Sequence, residues 1–576
     1  MEENVEELHR RIAELQKEVA YLNQQLKQDN QFGLHWIDVP EAFDAESENK
    51  IPVLEEVPEL AIKNDDGKPT HILIEGDNYH ALTCLNYTHH GKVDVIYIDP
   101  PYNTGSDGFT YHDKRFLEEY PDGTKIPSNH PLRHSAWLSF MEKRLNLAKE
   151  LLSDKGVIFI SIDDNELSNL KLLCDSVFDG NFVEIFSWVK TETPANLSLK
   201  SKKAVEYILC YTRKSLPIKF RGLLKESISN NGLMNQTNSV HLLRFPKNVV
   251  DTKLDNGIYK RGLYGTSSYQ IELLEDTEVK DGYFVKDVLL KGKFKWGQDY
   301  LNKSIEEGTK ISIKTIAFSP SYEKSEYEPE VPWNLINKNF GVDTNETASA
   351  QLKNIMGDTP FKYPKPISLI KYLANFTDGQ VFLDFFAGSG TTLHATMQLN
   401  AEDGGHRQCI LCQINEGDIC RDVTYERNRR VIQGYTDSKG KFVDGLGNSL
   451  KYYRTAFVGK NGPKTATDED KLTLAKKAGC LLSLAENTLY ETSVNDYYQF
   501  FTDGQGHSTC IYFQEDYSRF EEFRQKVIEL ESEQKTVYVF CWADGAEFAS
   551  EFEFERNVEV KSIPQPILNI YKSLNA

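Results

Sequence analysis

No run of apolar residues in this 576-residue chain is long enough to span a bilayer, and no signal-peptide pattern opens it. The expectation is therefore a soluble, cytoplasmic protein that makes no membrane contact. Nine cysteines are scattered without a framework, which suits a reducing compartment. Cys409 and Cys412 form a C-x-x-C inside an apolar strand pattern, where residues three apart face opposite sides. No Cys/His set with zinc spacing joins them, and the 13 histidines show no ligand pairing, so no metal site is expected. A G-x-G-x-x-G fingerprint and a G-x-x-x-x-G-K-[ST] phosphate loop are missing too, which sets aside the dinucleotide and nucleotide-triphosphate folds. Helicase and nuclease machinery is also lacking, so cleavage of a nucleic acid would need another chain.

An excess of positive charge is the last thing the chain lacks: its formal net charge is −20. The distribution matters more than the sum. Residues 190–261 carry 14 Lys/Arg against 5 Asp/Glu, whereas residues 465–576 carry 10 against 20. A basic segment on an acidic protein is the electrostatic footprint expected for phosphate contact.

Two short loops stand out among what is present. Asp99-Pro100-Pro101-Tyr102 follows the apolar run Val93–Ile98, and Asp384-Phe385-Phe386-Ala387-Gly388-Ser389-Gly390-Thr391-Thr392 follows 381–383. Each is a buried-type strand running into a loop, the place where open α/β sheets bind ligands. An amino nitrogen conjugated to a base is a poor nucleophile until its lone pair is localised. Asp99 and the Pro100 carbonyl oxygen can accept both of its N–H bonds, and the two prolines stiffen the turn that aims them. Tyr102 offers a flat face for a base taken out of a duplex. In the second loop Gly388 and Gly390 allow a tight turn, and Thr391 starts a helix over about 391–399 with free N–H groups at its N-terminus. Such a turn suits S-adenosylmethionine, with backbone amides for its carboxylate and Asp384 for its ammonium. The pair of loops predicts methyl transfer to an amino group.

Asp99-Pro-Pro-Tyr together with Phe386-Ala-Gly-Ser-Gly resembles the DNA adenine-N6 methyltransferases, in the loop order of their β group. Longer stretches (DPPYNTG from Asp99, LLSDKGVIFISIDDNE from Leu151, YPKPISL from Tyr363, LDFFAGSGTT from Leu383, LNAEDGG from Leu399) resemble the modification subunit of Type III restriction–modification systems over about residues 70–460. The resemblance implies a Rossmann-like α/β methyltransferase sheet, permuted so that the catalytic loop precedes the cofactor loop. It implies S-adenosylmethionine as cofactor, double-stranded DNA as substrate, a homodimer, and a helicase–nuclease restriction subunit as partner. Strands are expected at 71–74, 93–98, 157–162, 182–189, 206–212, 381–384 and 409–414. The first ends in Glu75-Gly76-Asp77, matching an acidic strand end near the cofactor. Lys365 matches the segment over the cofactor's methionine end. Where relatives hold the ribose with an acidic strand end, this chain has Gln413, with Glu416 three residues on, and either could serve. Cytosine-N4 methylation, whose enzymes more often carry Ser at the Asp99 position, and a methyltransferase without a restriction partner are the alternatives.

Five regions are expected. Residues 1–30 form a coiled-coil helix, since Val5, Leu8, Ile12, Leu15, Val19, Leu22 and Leu26 keep a strict three-four spacing. Its partner could be a second copy, another subunit or a helix of the same chain. Residues 31–214 and 343–462 are the catalytic and cofactor halves of the methyltransferase domain. Between them, 215–342 is the target-recognition domain implied by the resemblance, with a strand-like run at 311–318. Gln236, Asn238, Arg244 and Arg261 are its candidate base readers, as Asn/Gln suit adenine and Arg suits guanine in the major groove. Residues 463–576 open with a linker at 464–470 and form a small α/β domain with helices at 472–485 and 519–534 and strand-like segments at 509–513 and 536–541, either a docking surface or a stabilising cap.

Overall fold

The computed structural model describes residues 51–104, 118–119, 124–127, 130–194, 201–215, 219–222, 231–266, 269–324, 330–458, 468–514, 516–540 and 545–563, with Trp36 and Asp38. The expected coiled coil at 1–30 lies outside the described residues. The chain divides into two compact units, Met1–Lys219 with Trp333–Ala576, and Phe220–Pro332.

The first unit is built on a ten-stranded sheet. Its strands, in chain order, are β1 (Ile51–Glu56), β2 (Thr70–Glu75), β3 (Val93–Ile98), β4 (Leu152–Ile162), β5 (Phe182–Val189), β6 (Val205–Thr212), β7 (Leu335–Ile336), β8 (Val381–Asp384), β9 (Gln408–Gln413) and β10 (Ser449–Val458). They lie in the order β1-β10-β2-β9-β8-β3-β4-β6-β5-β7. The six strands from β10 to β4 are parallel, while β1 and β6 run antiparallel to their neighbours β10 and β4. Parallel strands need both faces covered, which is why β3 and β4 read as near-continuous apolar runs. Ile96, Ile98, Ile158 and Ile160 pack into one core with α1 (Asn78–Thr88), α2 (Ser135–Leu151) and α3 (Leu167–Val177). On the other pleat, the Phe159 ring meets Phe376 at 5.7 Å, just beyond α4 (Ile367–Ala374).

All seven expected strands are present. The helix after the glycine turn, α5 (Thr391–Asp403), runs four residues past the expected end and stops at Gly404, a left-handed cap. The C-terminal region is less separate than its composition suggests. Helix α6 (Asp468–Ala485) takes in the last three residues of the expected linker, and Leu481, Leu482 and Leu484 are part of the same core as the main sheet. Ile511, Phe513, Tyr538 and Phe540 of a five-stranded sheet (490–561) join that core as well. The expected helix at 519–534 is the shorter α7 (Phe520–Glu529), because Gln534–Val539 is already a strand.

The second unit holds a seven-stranded and a four-stranded sheet around Leu243, Phe245, Ile271, Leu290, Ile311 and Phe318. The expected strand at 311–318 is cut to Lys310–Ile313, after which the chain turns and Phe318 takes a positive φ of 54°.

Candidate active site

The two loops, 285 residues apart in sequence, leave adjacent parallel strands: Phe382 and Leu383 of β8 pair with Val95 and Ile96 of β3. From β3 the chain proceeds through α2 to β4 on one side. From β8 it proceeds through α5 to β9 on the other. The winding therefore reverses between them, and that reversal opens a crevice at the strands' C-terminal ends.

Asp99 is surrounded by charge. Lys365 Nζ lies 2.7 Å from both carboxylate oxygens and 3.5 Å from Glu206. The Tyr102 hydroxyl donates to Asp99 at 2.8 Å and to Glu206 at 3.2 Å. Glu206, at the start of β6, also accepts from Lys190 Nζ at 2.9 Å. The Lys365 ammonium sits 5.1 Å from the centroid of the Tyr102 ring. Burial pushes the Asp99 carboxyl above its ordinary range, Lys365 opposes that, and Glu206 adds to it. Burial would also raise Glu206, but its two lysines outweigh it and hold the carboxyl below the usual value. The loop is braced from beneath: the indole N–H of buried Trp137 donates to the Pro101 carbonyl at 2.7 Å. Asn103, at a positive φ of 56°, donates at 2.6 Å to Glu166, a buried carboxylate that also bonds His134 and Asn169.

The glycine loop is organised differently. Asp384 is 3% exposed and accepts from two neutral donors, the Phe386 N–H at 3.0 Å and the Thr392 hydroxyl at 2.5 Å. Burial pushes its carboxyl up to about 7. Phe386 is buried and its ring lies 5.9 Å from Phe140. Gly388 has φ +51° and donates its N–H to Gln413 Oε1 at 2.7 Å. Gly390 has φ +73°, and a Cβ there would lie 2.3 Å from Asn428 Nδ2. Its lack of a side chain thus serves packing against the helix Glu426–Gln433. Thr391 is buried, accepting from the Arg427 guanidinium at 2.8 Å.

Residues 93–422 match the N6/N4 DNA methylase family. That span is more than half of the chain. The chain belongs to this family. Among curated proteins the methylase is 34% identical over 387 residues to the Type III restriction-modification enzyme StyLTI Mod subunit of Salmonella typhimurium, covering 61% of this chain and 53% of that protein. It is 32% identical to the EcoPI Mod subunit of Escherichia phage P1, over 60% of this chain and 58% of that one. It is 27% identical to the Type II methyltransferase M.KpnI of Klebsiella pneumoniae, over 66% of this chain and 90% of that one. The aligned region thus spans little more than half the length of the two Mod subunits.

The structure gives the other expected site residues of the methylase the following neighbours. Lys365, matched to the segment over the cofactor's methionine end, places its ammonium on Asp99. Asp77 caps α1 by accepting from Tyr79 N–H at 2.8 Å and pairs with the buried Arg144 at 3.1 Å, so its oxygens go to structure. Of the two ribose candidates, Gln413 spends its side-chain oxygen on Gly388, and half-buried Glu416 opens the short turn Glu416–Asp418. In the separate unit, the Asn238 amide is committed to the Phe294 carbonyl at 2.8 Å and Arg244 pairs with Asp287 at 3.3 Å. Gln236 and Arg261 are exposed. Among the described residues no group of His, Cys, Asp and Glu has metal-ligand geometry, and no helix is long and apolar enough to cross a membrane. Sequence reasoning missed Glu206, Lys190 and Arg427. For Glu206 the signal was there, a lone carboxylate at the head of an otherwise buried strand.

Proposed function

We propose that this methylase transfers a methyl group from S-adenosylmethionine to N6 of an adenine flipped out of double-stranded DNA, as the modification and recognition subunit of a Type III restriction–modification system. The observation that carries the reading is the placement of Asp99-Pro-Pro-Tyr beside the glycine loop at the reversal of the sheet. The residues of that loop fit the cofactor: Asp384 is a buried carboxylate whose bonded partners among the described residues are neutral donors, and burial raises it, which a ligand ammonium would relieve. Glu416, half-buried just beyond β9, is read as the ribose ligand, with Gln413 at the end of that strand as the alternative. When bound, S-adenosylmethionine supplies an electrophilic methyl group on a sulfonium.

The chain's own residues do the rest. Tyr102 stacks on the flipped base, its hydroxyl fixed by Asp99 and Glu206. Asp99 and the Pro100 carbonyl oxygen accept the two N6–H bonds and localise the nitrogen lone pair toward the methyl carbon. As the nitrogen takes up the methyl group that the sulfonium would supply, with the bond pair remaining on sulfur, Asp99 would accept one N6 proton and pass it to solvent. Phe220–Pro332 is read as the target-recognition domain, with Gln236 and Arg261 as its best-exposed readers. The heptads of residues 1–30 are read as a dimerisation seam, and a helicase–nuclease subunit would add cleavage.

The likeness to M.KpnI, which covers 90% of that protein, favours a second reading, a methyltransferase that works without a restriction subunit. The test is to treat unmethylated genomic DNA with the purified chain and S-adenosylmethionine, then sequence single molecules. N6-methyladenine at one short asymmetric motif supports the Type III reading, and a palindromic motif supports the second. N4-methylcytosine, or no modification, overturns the assignment of base and reaction.

A further inference from the structure

The catalytic carboxylate is capped in this structure. Both Asp99 oxygens are held by Lys365 Nζ, and one also takes the Tyr102 hydroxyl. An incoming amino group has to share those oxygens with an ammonium whose side chain is only 7% exposed. A cation buried to that degree cannot simply be released, because an uncompensated buried charge is costly. It needs a second anion within reach, and among the described residues that is Glu206, 3.5 Å from the same nitrogen and also 7% exposed.

We propose that Glu206 is a positioning residue that receives Lys365 as the target amino group displaces it from Asp99, so that the ammonium shuttles between two carboxylates during each turnover. The inference rests on the methyl-transfer reading above.

Three observations support it. Tyr102 bridges the same two carboxylates, so the base-stacking ring is tied to both ends of the shuttle. Lys190, on the far side of Glu206, supplies a counter-charge that keeps Glu206 ionised but leaves Oε2 turned to Lys365 and Tyr102. The proton balance also fits. With Lys365 on Asp99 the carboxylate is a weak base, and with Lys365 on Glu206 it is a stronger one, at the stage when N6 must lose a proton. The groups facing Asp99 are Tyr97 on its own strand, Tyr102 on its loop, Lys365 before α4, Glu206 on β6 with Lys190 behind it, and Asp384 at the end of β8. Asp163, beyond β4, faces Glu206. Among these only the two lysines are cationic, and both touch Glu206.

The experiment uses the full chain and a duplex oligonucleotide carrying the methylated motif, with single-turnover transfer measured against pH. In Glu206→Gln the cap stays on Asp99, so transfer slows and the acid limb moves to lower pH by about one unit, while cofactor affinity is unchanged. Lys190→Met leaves Glu206 free to pull harder on Lys365, and the acid limb moves the other way. This second variant keeps the test open if Glu206→Gln fails to fold. The decisive comparison is the double substitution. If Glu206 acts through Lys365, then Glu206→Gln adds little to Lys365→Met. Equal slowing by Glu206→Gln with and without Lys365, or an acid limb that stays put in both single variants, overturns the proposal. If the wild-type chain itself transfers no methyl group, the functional reading fails and takes this inference with it.

Discussion

Two aspartates end neighbouring strands of one sheet, yet they live in opposite electrostatic worlds. Asp99 has Lys365 on both oxygens and a second lysine one carboxylate away, whereas Asp384 has a backbone N–H and a threonine hydroxyl. Burial raises both carboxyls, but only at Asp99 does a cation pull back. A carboxylate that must accept hydrogen bonds from a neutral amino group needs its charge held in place by the protein. A carboxylate that awaits a cationic ligand is better left without a cation, since the ligand then gains the whole of the relief. The contrast separates the two halves of the site more sharply than their loop sequences do.

The largest expected effect removes the Asp99 side of the contrast. Asp99→Ala should cut single-turnover methyl transfer by about 1,000-fold or more, the scale seen when an aimed polar group is lost from a reaction centre. Cofactor affinity, measured by calorimetry, should change little, because the glycine loop is built on β8. Retained activity would show that Asp99 is a structural turn residue.

The Asp384 side gives a smaller effect of two signs. Asp384→Asn should weaken cofactor binding by about tenfold or more, the worth of a charge-assisted contact. The same change should stabilise the ligand-free protein at high pH. The folded carboxyl titrates at about 7 against 3.8 in the open chain. Between those values the folded state keeps a proton the unfolded state has lost, so stability falls as pH rises through that window. The asparagine variant lacks that slope. Its melting temperature should exceed that of the parent above pH 7 and converge with it below pH 4, and identical pH profiles would mean Asp384 already has a cation.

A third substitution asks whether the glycine loop is shaped by its ligand or by its own packing. Gly390→Ala puts a methyl 2.3 Å from Asn428 Nδ2 at a left-handed φ of +73°. The cost should be about 1–3 kcal/mol in denaturant unfolding. Adding Asn428→Ala should recover part of it, and no recovery would mean the strain is in the backbone alone.

Much of this site was legible in the sequence for a physical reason. β3, β8 and β9 are buried on both faces, so each reads as a near-continuous apolar run ending at a loop. What such runs do not encode is who meets the loops in space. Lys365 reads as belonging to a cofactor segment, and only the fold puts it against Asp99, 266 residues earlier. Glu206 stands out in the sequence only as a lone carboxylate at the head of a buried strand, and its role is not legible there because both its lysines come from other segments. Gly390 was legible as a turn glycine but not as a packing one, since Asn428 is 38 residues away. Edge strands such as the two-residue β7 carry too little pattern to be seen at all.

The smallest expected effect concerns the platform under the catalytic loop, for which the glycine loop has a different counterpart. There the support is the Gln413 amide; beneath Asp99-Pro-Pro-Tyr it is the indole of Trp137, fully buried and bonded to the Pro101 carbonyl. Trp137→Phe keeps most of the apolar volume and deletes that one donor. Leaving a carbonyl short of its partner costs about 1–3 kcal/mol if the group stays buried. Two prolines already restrict the turn, so the loop has few other ways to relax. The loss should therefore appear mainly as slower methyl transfer, with Asp99 and Tyr102 less well aimed, and only secondarily as a lower melting temperature. A variant that loses stability but keeps its single-turnover rate would show that the prolines alone aim the acceptors. Trp137 would then belong to the core and not to the site.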